Sequence, residues 1–206
     1  MIGWPSSFGI WLQQANDNDF LQISALLQTV DLSLSSPPLT QECLRNSKVY
    51  LFLLPYSTIA SNCNREKIVG CAVAQRITTA MAIASHELVN TNQGNGCSSE
   101  DDDDGSKAND ANSGNTGRNH LVAVDSGLFC HPEPLPTPMG IPRLFVPCTY
   151  RRQGIASALL DAAAATFIRG CPIDPKLGQI AFTQPTGDGK AVMLKWGGSS
   201  MRIYEE

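Results

Sequence analysis

Apolar residues first recur at helical spacing between Phe20 and Val30, where Phe20, Ile23, Leu26, Leu27 and Val30 share one face of a helix that Asp17 or Asn18 can cap. Pro37 and Pro38 end any continuation of it. Residues 49–54 form a short apolar run that reads as a strand. Residues 68–77 read as a second strand after the polar loop 61–67, and the two form an antiparallel pair. The pattern then stops. Residues 85–120 are rich in Asn, Gly, Ser and Asp and nearly empty of aromatics, so they cannot bury enough surface to offset ordering entropy, and a disordered insertion is expected there. Order resumes near Leu121 and passes through a loop, 131–142, in which prolines occupy every second position from 132 to 138 and impose an extended shape. Residues 143–146 read as a buried strand, followed by a turn and a strongly apolar helix over about 154–168. After it come a strand at 179–182, a turn at 187–189 and a short helix at 190–196 closed by Gly197 and Gly198. A last strand spans 202–204, and no internal repeat is visible.

Composition narrows the class. A chain of 206 residues with 42% hydrophobic content suffices for one domain with a substantial core. No apolar run approaches the roughly 20 residues needed to cross a bilayer, so no membrane association is expected. The first basic residue is Arg45, so the amino terminus carries neither the positive flank of a secretory signal nor the arginines of a transit peptide. Seven cysteines at irregular spacing, with no CxxC pair, signal no disulfide framework. His86, His120 and His131 are too scattered to suggest a zinc site, so no metal is expected. Reduced thiols favour the nucleus or cytoplasm.

The net charge of −4 is misleading as an average, because Glu100 to Asp104 supply five acids in a row. With residues 85–120 set aside, twelve acidic residues face thirteen basic ones. A nearly neutral body lacks the basic stripe that direct nucleic-acid binding calls for, and a protein partner fits better.

The segment that carries chemistry reads LFVPCTYRRQGIASALLDAAAATF: a strand, a basic turn with a glycine, then a helix. The first N–H groups of a helix have no intrahelical partner and make a ready site for an anion such as a pyrophosphate. Gly154 lets the backbone approach closely, and Arg151 and Arg152 add positive charge. A solvated basic loop before an Ala-rich core helix has the same outline. The turn is neither a Walker loop, which ends GKS or GKT, nor a dinucleotide fingerprint with three glycines.

Arg151, Gly154 and Ala156 match the R-x-x-G-x-A form of the coenzyme A loop in GNAT acetyltransferases. FIRGCPI, AFTQPTGDGK, Trp196 and Tyr204 follow in order, and VYLFLLP, KIVGCAVAQRI and CHPEPLPTPMGIPRLFV precede. Together these segments resemble the GNAT family that establishes sister-chromatid cohesion, over most of residues 18–84 and 121–206. The resemblance implies an α/β GNAT fold, a mixed central sheet flanked by helices with the cofactor helix after the fourth strand. Residues 1–84 and 121–206 would be parts of one domain around the insertion 85–120.

The resemblance implies a lysine N-acetyltransferase that uses acetyl-CoA, without a metal, on the ATPase-head region of a cohesin subunit in the nucleus during replication, with the replication machinery as a further candidate partner. By position, the backbone of Leu144, Phe145 and Val146 would receive the pantetheine arm. Arg152, Gln153, Gly154, Ile155, Ala156 and Ser157 would hold the pyrophosphate with Arg151 of the same cofactor loop beside them, and Thr186, Gly187 and Asp188 would make a third contact. Residues 144–146 would equally be core strand in any α/β domain, and 186–188 an ordinary turn.

A lysine amine, with a pKa near 10.4, must lose a proton before it attacks a thioester. Asp161 stands where the family usually has an acidic residue and is the first candidate to take that proton or position the substrate. Gln184 stands where some members have an acid and Pro142 where some have a serine. Gln184 is left to orient lysine or water, with Thr183 assisting by hydrogen bonding. Cys148 has no nearby sequence partner to activate it as a nucleophile. Tyr204 is a candidate to protonate the leaving thiolate. The amino-terminal zinc finger and clamp-binding motif of many relatives are not evident, and the chain reads as a fungal-type member without them.

Overall fold

The computed structural model describes residues 9–13, 17–58, 61–84, 121–124 and 127–205, with side chains described outside 9–22 and 56–65. The insertion expected at 85–120 lies outside the described residues. Helix α1 (Asp17–Leu34) buries Ile23, Leu27 and Val30 together with Asp31, and it stops where Ser35 turns to φ 52 before the prolines. A short helix, α2 (Gln41–Arg45), follows, capped by Thr40 Oγ1, which accepts from Cys43 N at 3.1 Å.

Nine strands form one sheet among the described residues: β1 (Gly9–Gln13), β2 (Ser47–Thr58), β3 (Ser61–Arg76), β4 (Thr79–Ile83), β5 (Val122–Val124), β6 (Leu128–Pro136), β7 (Met139–Phe145), β8 (Ile180–Phe182) and β9 (Arg202–Ile203). Their order is β1-β2-β3-β7-β8-β9-β4-β6-β5, and β8 runs parallel to both β7 and β9 while the other pairs are antiparallel. Helix α3 (Ile155–Thr166) follows β7, and α4 (Gly187–Gly197) follows β8.

Strand alternation divides the core into two faces. Val49, Leu51, Cys71 and Val73 meet Ile23, Leu27, Val30 and Leu44 from α1 and α2. The intervening Tyr50, Phe52, Ala72 and Ala74 meet Ile155, Leu159, Leu160 and Ala163 from α3 on the other face. Gly70 marks the close approach of α3, since a Cβ there would lie 2.7 Å from Ile155 Cγ2 and 3.0 Å from Leu159 Cδ1.

Several sequence expectations are corrected. The stretch 61–67 is not a loop but the start of β3, paired to β2 as far as Thr58↔Ser61. The proline-studded stretch 131–142 is two strands of the sheet rather than a loop. Pro132, Pro134 and Pro136 sit two residues apart, so their missing N–H groups fall on one edge of β6. Strand β5 pairs with β6 only as far as Cys130. Proline is tolerated where no partner needs its N–H. Gly187–Gly189 is the first turn of α4 rather than a separate turn, with Thr186 Oγ1 accepting from Gly189 N at 3.4 Å. The helix after the basic turn follows the seventh of the described strands, not the fourth. Short elements such as β1, α2, β4 and β5 carried no pattern of their own in the sequence.

Candidate active site

The strand that leads into the basic turn has two neighbours, and they part. Strand β7 pairs with β3 up to Phe145, but with β8 only over Met139–Ile141. At the point of parting Thr183 N donates to Ile141 O at 3.4 Å and Thr183 Oγ1 to Pro142 O at 3.1 Å. Beyond it, one edge of residues 144–146 faces a cleft of about 520 Å³ instead of a strand.

One wall of the cleft is the end of β7, the turn and the start of α3, contributing Leu144, Phe145, Val146, Tyr150, Arg151, Arg152, Gly154, Ile155, Ala156 and Ser157. Arg152 (φ 62) and Gly154 (φ 82) both take the left-handed conformation, which turns the chain sharply into the helix. No side chain caps α3, so its first N–H groups have no side-chain acceptor. The opposite wall is one face of α4 and its cap, with Thr186, Asp188, Gly189, Ala191, Val192 and Lys195. Leu34 closes the cleft from the end of α1. Its helix is fixed by a buried ion pair: Arg143 Nε donates to Asp31 Oδ1 at 2.6 Å, with both side chains under one-tenth exposed. Arg143 also donates to the Pro142 carbonyl at 2.8 Å and to the Pro37 carbonyl, so β7 holds the α1–α2 turn as well.

Eleven of the thirteen residues expected to meet the cofactor line this cleft; Gln153 and Gly187 do not. Gln153 Nε2 instead donates to Thr149 O at 3.3 Å and closes the turn. Arg151 spans the cleft: its Nε donates to Val146 O at 3.1 Å and its Nη1 reaches Asp188 Oδ2 at 2.7 Å. The three residues expected to serve catalysis do not line the cleft. Asp161 lies on the exposed side of α3 and accepts from Trp196 Nε1 at 2.7 Å. Thr183 sits at the vertex where β7 and β8 part, with Gln184 exposed just beyond. Cys148 is exposed and does not line the cleft, and Tyr204 is buried with its hydroxyl accepting from Gln75 Nε2 at 2.8 Å.

Sequence reading missed Leu34, Tyr150, Gly189, Ala191, Val192 and Lys195 as lining residues. The spacing 188, 191, 192, 195 is one helical face and was available once the turn at 187–189 was read as helix. The place of Leu34 depends on the buried ion pair and had no local signal. Among the described residues no three His, Cys, Asp or Glu side chains come together as metal ligands, and no helix is long and apolar enough to cross a membrane.

Residues 135–204 match the family model described as ESCO1/2 acetyl-transferase. The chain is 41% identical over 71 residues to the N-acetyltransferase ECO1 of Yarrowia lipolytica, 34% of this chain and 25% of the relative. It is 28% identical over 172 residues to the N-acetyltransferase eso1 of Schizosaccharomyces pombe, 82% of this chain and 15% of the relative. The chain thus spans a quarter or less of the length of these relatives. Among solved structures it superposes on the xEco2 acetyltransferase domain, alone and bound to a K105-CoA conjugate, with TM-scores of 0.64 and 0.63 and 22% identity. Those superpositions cover 100% and 96% of this chain, and 95% and 91% of the matched chains. The mixed sheet that parts beside β7 is therefore the GNAT fold.

Proposed function

We propose that the chain is a protein-lysine N-acetyltransferase of the cohesion-establishing kind that its family-model match and its relatives resemble. Its acetyl donor is acetyl-CoA and its acceptors are lysines of a cohesin ATPase-head subunit, for the establishment of cohesion in S phase in the nucleus. The observation that carries the reading is the cleft, which joins the end of β7, left by β8 after Ile141, to an uncapped helix start beside two arginines. Those features suit an amide-bearing arm that ends in a pyrophosphate. Strand-edge groups can pair with amides, and helix N–H groups with phosphate oxygens. The residues present therefore fit the cofactor.

Bound acetyl-CoA supplies a thioester carbonyl, whose carbon bonds to the lysine nitrogen as its bond to sulfur breaks and the thiolate leaves. Leu144 and Phe145 present backbone along the arm, and Arg152 and residues 154–157 surround the phosphates. Thr183 and Gln184, at the vertex, orient the incoming amine or the water that takes its proton. The Thr183 hydroxyl already donates to Pro142 O, so toward substrate it serves as an acceptor. Partners beyond the cohesin substrate, the replication machinery among them, belong to the same reading.

Labelled acetyl-CoA incubated with this chain and a purified cohesin head complex tests the proposal. Label on head lysines is expected, and Gly154→Val, which forces a β-branched residue to φ 82, is expected to abolish both transfer and cofactor binding while the fold survives. Two observations favour a second reading, an acetyl-CoA-binding module with little turnover. Pro142 is buried and Gln184 carries an amide, so neither offers an ionisable group. CoA binding without transfer to any head lysine, or to another protein or small amine, would select it.

A further inference from the structure

We propose that α4 is a wall of the cleft held in position by two side-chain clips, and that Asp188 and Asp161 are positioning residues which act through Arg151 and Trp196. The inference rests on the reading of the cleft as the acetyl-CoA site. The core seats α4 from Val192 onward, through buried Met193 and Gly197 and the partly buried Val192 and Trp196, and its start carries no buried residue. Each end is also joined to the facing wall. At the start of α4, Asp188 Oδ2 takes Arg151 Nη1 at 2.7 Å while Arg151 Nε holds Val146 O at 3.1 Å. Near its end, Trp196 Nε1 donates to Asp161 Oδ1 on α3 at 2.7 Å. Residues 188 and 196 are roughly 12 Å apart along a helix rising about 1.5 Å per residue. Two joints at that separation set the tilt of α4 as well as its distance; either alone would leave a pivot.

Charge supports the assignment. A carboxylate beside a polyphosphate repels it, so Asp188 as a direct contact would weaken binding. As the partner of Arg151 it holds the guanidinium across the cleft and offsets its own charge. Asp161 does not line the cleft, and one of its oxygens is occupied by an N–H donor that an amide oxygen would satisfy equally well.

Isothermal titration of CoA into the whole chain, with turnover measured in parallel, tests this. Arg151→Ala, Asp188→Asn, Asp161→Ala and Trp196→Phe are each expected to raise the Kd for CoA by about two- to fivefold, the scale of one exposed polar contact. Arg151→Ala combined with Asp188→Asn is expected to be no worse than the weaker-binding single variant. Asp161→Asn should recover most of what Asp161→Ala loses. Tighter CoA binding by Asp188→Asn would overturn the first clip. Equal loss of turnover in Asp161→Ala and Asp161→Asn at unchanged CoA affinity would make Asp161 a proton acceptor and overturn the second. An unaltered chain that does not bind CoA sinks the acetyltransferase reading itself, a result that no variant is needed to recognise.

Discussion

Helix α3 brings five buried residues to the sheet, Ile155, Leu159, Leu160, Ala163 and Ala164, whereas α4 brings two, although both line the same cleft. The first wall is part of the main core and its position is set by apolar burial, the strongest force that drives folding. The second reaches that core through fewer residues, Met193 with the partly buried Val192 and Trp196, and leans also on hydrogen bonds and an exposed ion pair, which are individually weak. One cleft thus has a rigid wall that presents the turn and a wall whose seating depends in part on a few polar contacts. The comparison teaches where change should be tolerated: substitutions in α3 should register as lost stability, and those in α4 as lost affinity.

The largest effect expected from breaking that comparison lies under the rigid wall. Arg143, on β7, is buried and holds Asp31, so Asp31→Ala should leave an uncompensated buried charge and destabilise the fold by about 3–5 kcal/mol. Urea denaturation measures it, and a change under about 1 kcal/mol would show that the strand is not pinned from the α1 side. Next is Leu159→Ala, which empties a fully buried site facing Gly70 and should cost about 2–5 kcal/mol. The same truncation at Leu194, 37% exposed on α4, should cost under about 1 kcal/mol. Equal losses at the two positions would erase the distinction between the walls.

A smaller effect is read by pH. Burial, and after it the Asp31 carboxylate, push the Cys71 thiol up to about 12. The unfolded chain releases this proton near its ordinary value of 9.0, while the folded chain keeps it. The unfolded state therefore binds fewer protons between those values, and stability should fall as pH rises through that window, with no pH dependence from this thiol below it. Burial raises the Tyr50 hydroxyl in the same sense. Cys71→Ala should give a shallower alkaline decline of Tm than the unaltered chain. An identical slope would place the titrating group elsewhere.

The rigid wall was also the legible one. Its strand, basic turn and apolar helix are consecutive in sequence, and Arg151, Gly154 and Ala156 mark the turn through their resemblance to the coenzyme A loop of GNAT enzymes. Helix α1 could be read because its buried residues repeat at helical spacing. The second wall was half legible: Lys190 to Trp196 read as helix, but three residues with two glycines looked like a turn, because the cap supplied by Thr186 shows only in the folded chain. The prolines of β6 misled for a related reason, since only the finished sheet shows that, among the described residues, β5 leaves the edge where their N–H groups are missing. Leu34 and the Asp161–Trp196 contact join residues over 100 and 35 positions apart from their partners in the site, and no local pattern encodes such pairs.

The smallest prediction separates the walls most finely. Thr186 caps α4 through a single long hydrogen bond, from Gly189 N at 3.4 Å, whereas α3 starts without any side-chain cap and is held by its buried face. Removing a cap typically costs about 0.5–2 kcal/mol, and a bond this long belongs at the low end. Thr186→Ala should therefore barely shift the global Tm. It should still let the first turn of α4 open more often, because a helix with two buried residues has little else opposing local fraying. Amide hydrogen exchange is the measurement: protection should drop at residues 189–191 and stay unchanged through the interior of α3. Loss of protection in both helices together would mean that the two walls open as one unit, and that the start of α4 is seated by the core after all.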